Sequence, residues 1–342
     1  MSARGTRANP ANRFDRFRVE LDPGEDDADL RTEFLDDPAQ SVISTNGSPD
    51  LGFSASVNPY RGCEHGCPYC YARPYHEFLG FSAGLDFEQK ILVKRDAAAL
   101  LRTGLAAPSW KPQPVVLSGV TDCYQPVERR MGLTRACLRV LADFRNPVAV
   151  ITKNHLVTRD ADILAELAEF TAARAHISIT TLDPELARRM EPRASLPAHR
   201  LDAVSRLSAA GIPASVVVAP VIPGLNEHEI PGILRAARSA GASHAAYSIL
   251  RLPHGVADIF LGWVREHFPM AVEKIEGRIR EIRGGELNDS RFGLRHSGEG
   301  PAASRIRQLF RVTAAREGLR VHPAPLETFH FRNPDDSQLR LF

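Results

Sequence analysis

The sequence lacks a strong net charge, long apolar runs and an abundance of cysteine. Its 43 Lys and Arg residues face 41 Asp and Glu residues, so the net charge of +2 creates no global field that attracts nucleic acid. No apolar run approaches the length of a membrane span, and the N-terminus shows no apolar stretch typical of a secretory signal. With only five cysteines in 342 residues, we expect a protein of the reducing cytoplasm without a membrane partner.

Three of the five cysteines are concentrated in one short segment. Cys63, Cys67 and Cys70 lie in RGCEHGCPYCYARP, separated by three and then two residues. Three such thiolates suit three corners of a [4Fe–4S] cluster, whose usual ligands are four cysteines, and leave one iron open for a ligand. A structural zinc site needs four ligands, and His65 as the fourth would form a cramped chelate. A disulfide would leave one thiol over.

The chain from about residue 50 alternates short apolar runs with longer amphipathic segments. This pattern predicts parallel strands joined by crossover helices, in either a partial barrel or a doubly wound sheet. The predicted strands cover residues 53–58, 114–120, 147–153, 176–181, 214–220 and 244–250, and the predicted helices cover 97–105, 134–144, 161–173, 199–211 and 229–241.

The remaining segments differ from this core. We expect a flexible leader over residues 1–50, the α/β core over 51–255, a helical C-terminal cap over 256–330 with a helix near 303–317, and a tail over 331–342. The leader is basic at first and then acidic, and it has few large apolar residues to offset the entropy of ordering.

Polar residues follow the predicted strands at one edge of the sheet. The cysteine segment follows the first strand, Asp122 the second and Lys153 the third, while Ser178 lies near the end of the fourth. Active sites of α/β barrels gather at the carboxyl ends of the strands, so this convergence favours the partial barrel.

The C-x₃-C-x₂-C motif, with Tyr69 before its last cysteine, resembles the radical S-adenosylmethionine (SAM) superfamily. NPYRGCEHGCPYCYARP, TDCYQPVE, ITKN and ISITT are similar to its spore-photoproduct-lyase-like branch, over about residues 50–260. The resemblance implies a partial (β/α)₆ TIM-type barrel and a [4Fe–4S] cluster whose open iron is chelated by SAM. It also implies a low-potential electron donor of flavodoxin or ferredoxin type, whose electron cleaves SAM to a radical that abstracts hydrogen from a substrate.

The resemblance also implies roles for residues around the cluster. Thr121 and Asp122 would contact the amino end of SAM, and Lys153 would offset its carboxylate. Ser178 would donate to the carboxylate or ribose. Tyr71 either packs on adenine, joins a radical relay or packs on the rim. Glu191 and Arg193 form an ion pair or line the cavity, and Gly62 and Gly66 allow a tight loop.

One position departs from the branch. Spore photoproduct lyase carries a cysteine hydrogen donor three residues before the aspartate of the second-strand loop, where this chain has Gly119. Cys123 follows Asp122 and is either a hydrogen donor at a shifted position or a small buried residue. Cys137, in TRACLRVL, is expected in the core.

The tail resembles a short peptide with which bacterial DNA polymerases and repair proteins dock into the sliding clamp. The residues of the clamp-binding hypothesis are Gln338, Leu339, Leu341 and Phe342.

Three functions remain open: a lyase-like radical SAM enzyme acting on DNA, a radical SAM enzyme acting on a small molecule or peptide, and a non-catalytic iron–sulfur sensor or docking protein.

Overall fold

A computed structural model of the protein describes residues 4–6, 8–14 and 31–334. Its main sheet has seven strands, of which six run parallel and the seventh is an antiparallel edge strand. The strands of the described residues are β1 (Glu33–Asp36), β2 (Ile43–Thr45), β3 (Ala55–Val57), β4 (Tyr60–Arg61), β5 (Lys90–Val93), β6 (Val115–Leu117), β7 (Val148–Thr152), β8 (Ala173–Ser178), β9 (Ala214–Val221) and β10 (His244–Ile249).

The order of the main sheet is β10-β9-β8-β7-β6-β3-β2, so consecutive parallel strands are neighbours. Helices connect them, as parallel pairing requires. The α-helices of the described residues are α1 (Asp86–Gln89), α2 (Ala97–Ala106), α3 (Glu128–Met131), α4 (Leu133–Asp143), α5 (Ala161–Ala168), α6 (Pro184–Met190), α7 (Pro197–Ala209), α8 (Ile230–Ser239), α9 (Val256–His267), α10 (Val272–Ile282) and α11 (Gly300–Arg316). Short 3₁₀ helices cover Arg73–Tyr75, Glu77–Leu79, His155–Asp160, Glu227–Glu229 and Pro269–Ala271.

The predicted α/β core is confirmed. All six predicted parallel strands and all five predicted crossover helices form, although α5 ends at Ala168 because β8 begins at Ala173. The main hydrophobic core lies between these strands and helices, with Leu117, Val150 and Val216 fully buried. The six parallel strands of the main sheet, β3, β6, β7, β8, β9 and β10, lie side by side in chain order, and β10 is an edge. The arrangement is therefore the predicted partial (β/α)₆ barrel.

The expectation of a flexible leader is corrected for the residues of the leader that the structure describes. Strand β1 pairs in parallel with β5, and β2 pairs antiparallel with β3. The sequence pattern missed these strands because each has only three or four residues and is stabilised by distant partners. Residues 1–3, 7 and 15–30 lie outside the described part of the chain.

Residues 4–6 and 8–14 pack against the segment that follows the cysteines. Arg4 Nη1 donates to the carbonyl of Glu88 at 2.7 Å, and the amide of Gly5 donates to Glu88 Oε2 at 2.9 Å. Asn12 Nδ2 donates to the carbonyl of Glu77 at 2.9 Å. This end of the chain therefore supports the cysteine segment from outside the barrel.

A second sheet of three strands, β1-β5-β4, holds the start of the cysteine segment. Strand β4 leads directly into Gly62 and Cys63, and the amide of Cys63 donates to the carbonyl of Phe87 at 2.8 Å. The cysteine segment is thus fixed between the barrel edge and this small sheet.

Helices α9, α10 and α11 confirm the predicted helical cap. Arg283 donates to the carbonyls of Leu250 and Leu294, which ties the segment after α10 to the end of β10. Within the described residues, no helix is long and apolar enough to cross a membrane. The tail residues of the clamp-binding hypothesis lie outside the described residues.

Candidate active site

A cavity of about 360 Å³ lies at the carboxyl ends of the parallel strands. It brings together the predicted residues from four separate segments, as the position of barrel active sites would suggest. The predicted residues that line it are Cys63, Cys67, Cys70, Tyr71, Thr121, Asp122, Lys153 and Ser178.

The loop of the three cysteines is tightly folded, and two glycines permit its path. Gly62 and Gly66 have φ values of +81° and +70°, a region that favours glycine. A Cβ on Gly62 would lie 3.0 Å from the carbonyl oxygens of Phe87 and Lys90, so the small sheet also excludes a side chain there. Both glycines are therefore needed for the loop, as the sequence predicted.

Arg73 anchors the same loop from the inside. This fully buried guanidinium donates through Nε to the carbonyl of Cys67 at 2.9 Å and through Nη2 to Glu88 Oε1 at 2.5 Å. Charge-assisted bonds of this kind fix geometry more firmly than neutral ones. Arg73 thus links Cys67 to the Glu88 carboxylate that also binds Gly5.

The three thiols fit an iron–sulfur cluster better than a single metal ion. All three are free and face one cavity. Among the described residues, no three Cys, His, Asp or Glu side chains surround one point closely enough for a single ion. In a cluster each thiolate binds a different iron, so such convergence is not required.

Burial favours the protonated form of these three thiols. It raises the pKa of Cys63 and Cys70 above the ordinary value, and it raises the pKa of Cys67 to about 12 together with the nearby Glu191 charge. Thiolates are the form that binds metal, so assembly of a cluster on these cysteines would release their protons.

The carboxylate of Asp122, which follows β6, forms hydrogen bonds at the end of β7. Its carboxylate accepts from Thr152 Oγ1 at 2.7 Å and from the amide of Lys153 at 2.8 Å. It also accepts from the amide of Tyr124 at 2.9 Å. A carboxylate offers about four acceptor positions, so capacity for a ligand in the cavity remains.

His65 is a partner of Asp122. Its Nδ1 lies 3.5 Å from Asp122 Oδ2, and its Nε2 lies 3.3 Å from Asn154 Nδ2. Burial lowers the pKa of His65, which favours the neutral ring. The neutral imidazole therefore lies beside the Asp122 carboxylate without forming an ion pair with it.

Glu191 is a structural residue behind the cysteines. It accepts from Thr180 Oγ1 at 2.6 Å and from the Tyr69 hydroxyl and the Arg200 guanidinium. The sequence left open whether it pairs or lines the cavity, and the structure pairs it with Arg200. Arg193, its expected partner, instead pairs with Glu64 at 2.9 Å.

Tyr71 lies on the rim of the cavity with 41% of its surface exposed. Its hydroxyl donates to the carbonyl of Gly119, the position where the lyase branch carries a cysteine. The guanidinium of Arg251 lies 5.2 Å from the centre of its ring, within the range of a cation–π contact.

Cys123 does not line the cavity. Its side chain is fully buried in the main hydrophobic core, and its carbonyl accepts from Thr134 Oγ1 at 2.6 Å. The structure thus corrects the catalytic alternative for Cys123, because the residue after Asp122 turns back toward α4. Cys137 is fully buried in the same core, as expected.

Several cavity residues escaped the sequence analysis because they lie outside the motifs that it singled out. Leu51, Ser248, Arg251 and His296 complete the mouth of the cavity. Ser248 Oγ lies 3.1 Å from His296 Nδ1. The only available signal was the position of Ser248 and Arg251 at the end of the last predicted strand.

Comparisons with known proteins give a family match and several similar proteins. The family model described as the Radical SAM superfamily matches residues 57–237. The uncharacterized protein Rv2578c of Mycobacterium tuberculosis is 36% identical over 234 residues, which is 68% of each chain. The uncharacterized protein MJ0683 of Methanocaldococcus jannaschii is 28% identical over 199 residues, covering 58% of this chain and 71% of the relative.

A solved structure of spore photoproduct lyase complexed with dinucleoside spore photoproduct has a similar fold. The TM-score is 0.60 at 16% sequence identity, and the match covers 89% of this chain and 87% of that chain. At 16% sequence identity, this match shows a similar fold alone.

Proposed function

Because the chain belongs to the Radical SAM superfamily, whose members use a [4Fe–4S] cluster and SAM, we propose that it performs lyase-like radical chemistry on damaged nucleic acid in the cytoplasm. The superfamily establishes a radical SAM enzyme that requires a reductant. The nucleic acid, the type of reaction and the compartment are the parts that we propose.

The residues of the cavity divide into two groups. Cys63, Cys67 and Cys70 hold the cluster, and the bound cluster and SAM supply a carbon-centred radical when reduced. Thr121, Asp122, Lys153 and Ser178 bind SAM: an acidic acceptor suits its amino group, and the Lys153 cation suits its carboxylate.

The observation that carries a nucleic acid substrate lies at the mouth of this cavity. Arg251 Nε and His296 Nε2 are buried atoms without a hydrogen-bond partner within the described residues. Such atoms carry a desolvation cost that a polar ligand would remove. Burial, followed by the charge of Arg251, lowers the pKa of His296 to about 4, so the ring is neutral and Arg251 is the cation. A guanidinium suits a phosphate group.

Exposed aromatic rings next to the mouth also favour nucleic acid. Tyr71 is 41% exposed, and Tyr75 is 54% exposed. Aromatic side chains beside a cationic groove are the usual platform for stacking unpaired bases. The spore photoproduct lyase relative binds a dinucleoside lesion in its solved complex, and the shared fold supports a comparable substrate here.

The hydrogen donor must differ from that of the lyase branch. Gly119 has no thiol, and Cys123 is in the core. Tyr71 places its hydroxyl at the Gly119 carbonyl, so we assign to Tyr71 the return of hydrogen to the product radical. The O–H bond of Tyr71 breaks as the product C–H bond forms, and one electron from the reductant with one proton from solvent restores the phenol.

Anaerobic reconstitution tests this function. The reconstituted protein with dithionite and SAM should release 5′-deoxyadenosine, and an oligonucleotide carrying a pyrimidine lesion should increase the rate. Release that no oligonucleotide accelerates would instead favour a small molecule or peptide substrate. If protein with an intact cluster releases no 5′-deoxyadenosine, the non-catalytic iron–sulfur sensor or docking protein would be favoured.

Two cysteine variants provide a matched control. Cys67→Ala should lose iron and 5′-deoxyadenosine formation, because Cys67 lines the cavity. Cys123→Ala should keep both, because its buried side chain lies in the main core. Loss of 5′-deoxyadenosine formation in a folded, iron-loaded Cys123→Ala protein would contradict the assignment.

Recruitment to DNA through the sliding clamp remains part of the proposal. Gln338, Leu339, Leu341 and Phe342 match the residue types of a clamp-binding peptide at the end of the sequence. A peptide of the last ten residues should bind purified clamp protein in a titration, and absence of binding at high micromolar concentration would end the idea.

A further inference from the structure

The inward face of the barrel carries a group of polar side chains below the active-site cavity. Alternate residues of β8, β9 and β10 face inward, because the residues between them pack in or against the main hydrophobic core. Ser178, Val217 and Ser248 on this inward face line the cavity. Two or four residues nearer the start of each strand, the same face carries four residues that we call the barrel floor: Arg174, His176, Ser215 and His244.

Strand register places three residues of the barrel floor in one row. Ser215 of β9 pairs with His176 of β8 on one side and with His244 of β10 on the other. Neighbouring strands lie about 4.8 Å apart, so the two imidazoles flank the serine on the same face of the sheet. The short serine side chain between two longer ones leaves a concave surface.

Three polar atoms of the barrel floor are buried without a hydrogen-bond partner among the described residues. These atoms are Arg174 Nε, Ser215 Oγ and His244 Nε2. Ser215 is 2% exposed and His244 is 6% exposed. Because most buried polar atoms in proteins are paired, and an unpaired one carries a desolvation cost, three such atoms on neighbouring strands indicate a ligand that binds between them.

The charge of the barrel floor is positive and is not offset by an acidic group of the described residues. Burial lowers the pKa of Arg174, and no described carboxylate opposes this effect. Burial, followed by the charges of Arg174 and His244, lowers the pKa of His176 to about 4. Burial, followed by the charges of Arg320 and Arg174, lowers the pKa of His244. Cationic groups and a hydroxyl donor without an acidic partner favour an anion as the ligand.

Solvent reaches the barrel floor at the edge of the sheet. Ala246 lies between His244 and Ser248 on the inward face of β10, the edge strand, and is exposed. On the other side, Arg174 Nη2 donates to the carbonyl of Ala324 in the segment after α11. A carbonyl is neutral, so this contact fixes the guanidinium and leaves its charge available to a ligand.

We propose that the barrel floor binds a small free oxyanion of the size and charge of phosphate, with Arg174 as its cationic contact and Ser215 as its hydroxyl donor. A guanidinium matches the oxygens of a phosphate group, and protonated His176 and His244 rings would add donors on either side. The proposal stands apart from the function proposed above, because no residue of the barrel floor lines the active-site cavity.

Thermal unfolding of the reconstituted holoenzyme with SAM present tests this site, with inorganic phosphate as the probe. Phosphate should raise the melting temperature saturably, by about 2–3 °C at ten times its dissociation constant. Arg174→Gln should abolish the saturable rise, and Arg174→Lys, which restores the charge, should recover part of it. Arg311→Gln, at an exposed arginine of α11, should behave as the parent does.

Ser215→Ala tests the second contact with a smaller change to the barrel. It should weaken phosphate binding about tenfold, because it removes a hydrogen bond to a charged ligand. Ser239→Ala, at an exposed serine that ends α8, should leave the affinity unchanged. Isothermal titration measures the phosphate affinity directly, so this pair of variants decides the question even if Arg174→Gln does not fold.

Sulfate provides a test of pH dependence, because its charge is constant between pH 8 and 5.5. A bound anion raises the pKa values of His176 and His244, so binding takes up protons and the sulfate affinity should rise as the pH falls. Arg174 and Arg320, the other cations that act on these rings, stay charged over this range. His176→Gln should make the rise less steep.

Two results would overturn the site. An equal rise in melting temperature in Arg174→Gln and the parent would be a general effect of salt. A saturable rise that persists in Arg174→Gln and disappears in Arg251→Gln would place the anion in the active-site cavity. Neither result bears on the proposed radical chemistry, whose test is the release of 5′-deoxyadenosine.

Discussion

Two buried ion pairs hold the cysteine loop from opposite sides. Arg73 with Glu88 contacts the carbonyl of Cys67, and Arg200 with Glu191 contacts the hydroxyl of Tyr69. Buried ion pairs contribute little net stability, but loss of one partner is costly. Their value here is positional, since each fixes a residue of the loop that carries the three cysteines proposed as cluster ligands.

Replacement of Glu191 tests this view at one residue. Glu191→Gln leaves the buried guanidinium of Arg200 without a counterion, so the free energy of unfolding should fall by about 3–5 kcal/mol. Urea denaturation of the protein would measure it. Glu185→Gln breaks an exposed pair with Arg188 and should cost less than about 0.5 kcal/mol. Equal losses of unfolding free energy in the two variants would contradict a special role for the buried pair of Glu191 and Arg200 in holding the loop.

His176 on β8 should make stability depend on pH. Burial, followed by the charges of Arg174 and His244, lowers the pKa of His176 to about 4. The unfolded state therefore binds a proton that the folded state does not between about pH 6.5 and 4, and stability falls as the pH falls through this window. The loss amounts to at most about 3 kcal/mol for this group.

Thermal unfolding between pH 7 and 4 would detect this contribution. His176→Gln removes the titrating ring, so its melting temperature should fall less steeply with acidification than that of the parent. A variant with the parent's slope would show that other groups, among them His76 and His296, whose pKa values are also lowered to about 4 by burial, carry the whole effect.

At the scale of elements, the sequence pattern predicted the parallel strands of the α/β core but missed β1, β2 and the packing of the N-terminal segment. The parallel strands are buried apolar runs, which a local pattern reveals. Strands β1 and β2 expose polar residues and form only because distant segments pair with them. Likewise, the contact between Arg4 and Glu88 spans 84 residues, and no periodicity signals it.

Gly5 is the most sensitive point of that N-terminal support. A Cβ at Gly5 would overlap the carbonyl oxygen of Gly66 in the cysteine loop. Gly5→Val should therefore displace residues 4–6 and 8–14 from the loop and increase hydrogen exchange in residues 63–70, with faster loss of iron. Gly47→Val is a matched control, because a Cβ there meets no atom within 4 Å. Equal exchange in both variants would contradict this support.

At the scale of the whole molecule, the cavity is assembled from regions that sequence reasoning treated separately. The motif residues at its base could be predicted, because each follows a recognisable strand. The residues at the mouth of the cavity could not be predicted, because Leu51 and His296 are brought together only by the fold. Asp50 makes this connection: its carboxylate accepts from Arg295 Nε at 2.6 Å and from the amide of Gly293 at 2.7 Å.

Asp50→Asn should loosen the mouth without disturbing its base. An amide no longer balances the Arg295 charge, so the hydrogen bond between these two side chains weakens. Hydrogen exchange in residues 291–298 should increase, and the KM for a lesion-bearing oligonucleotide should rise because His296 is less well placed. Asp36→Asn removes an exposed partner of Arg95 and should change neither quantity. If hydrogen exchange increases in residues 291–298 while the KM stays constant, these residues stabilise the fold but do not contact the substrate.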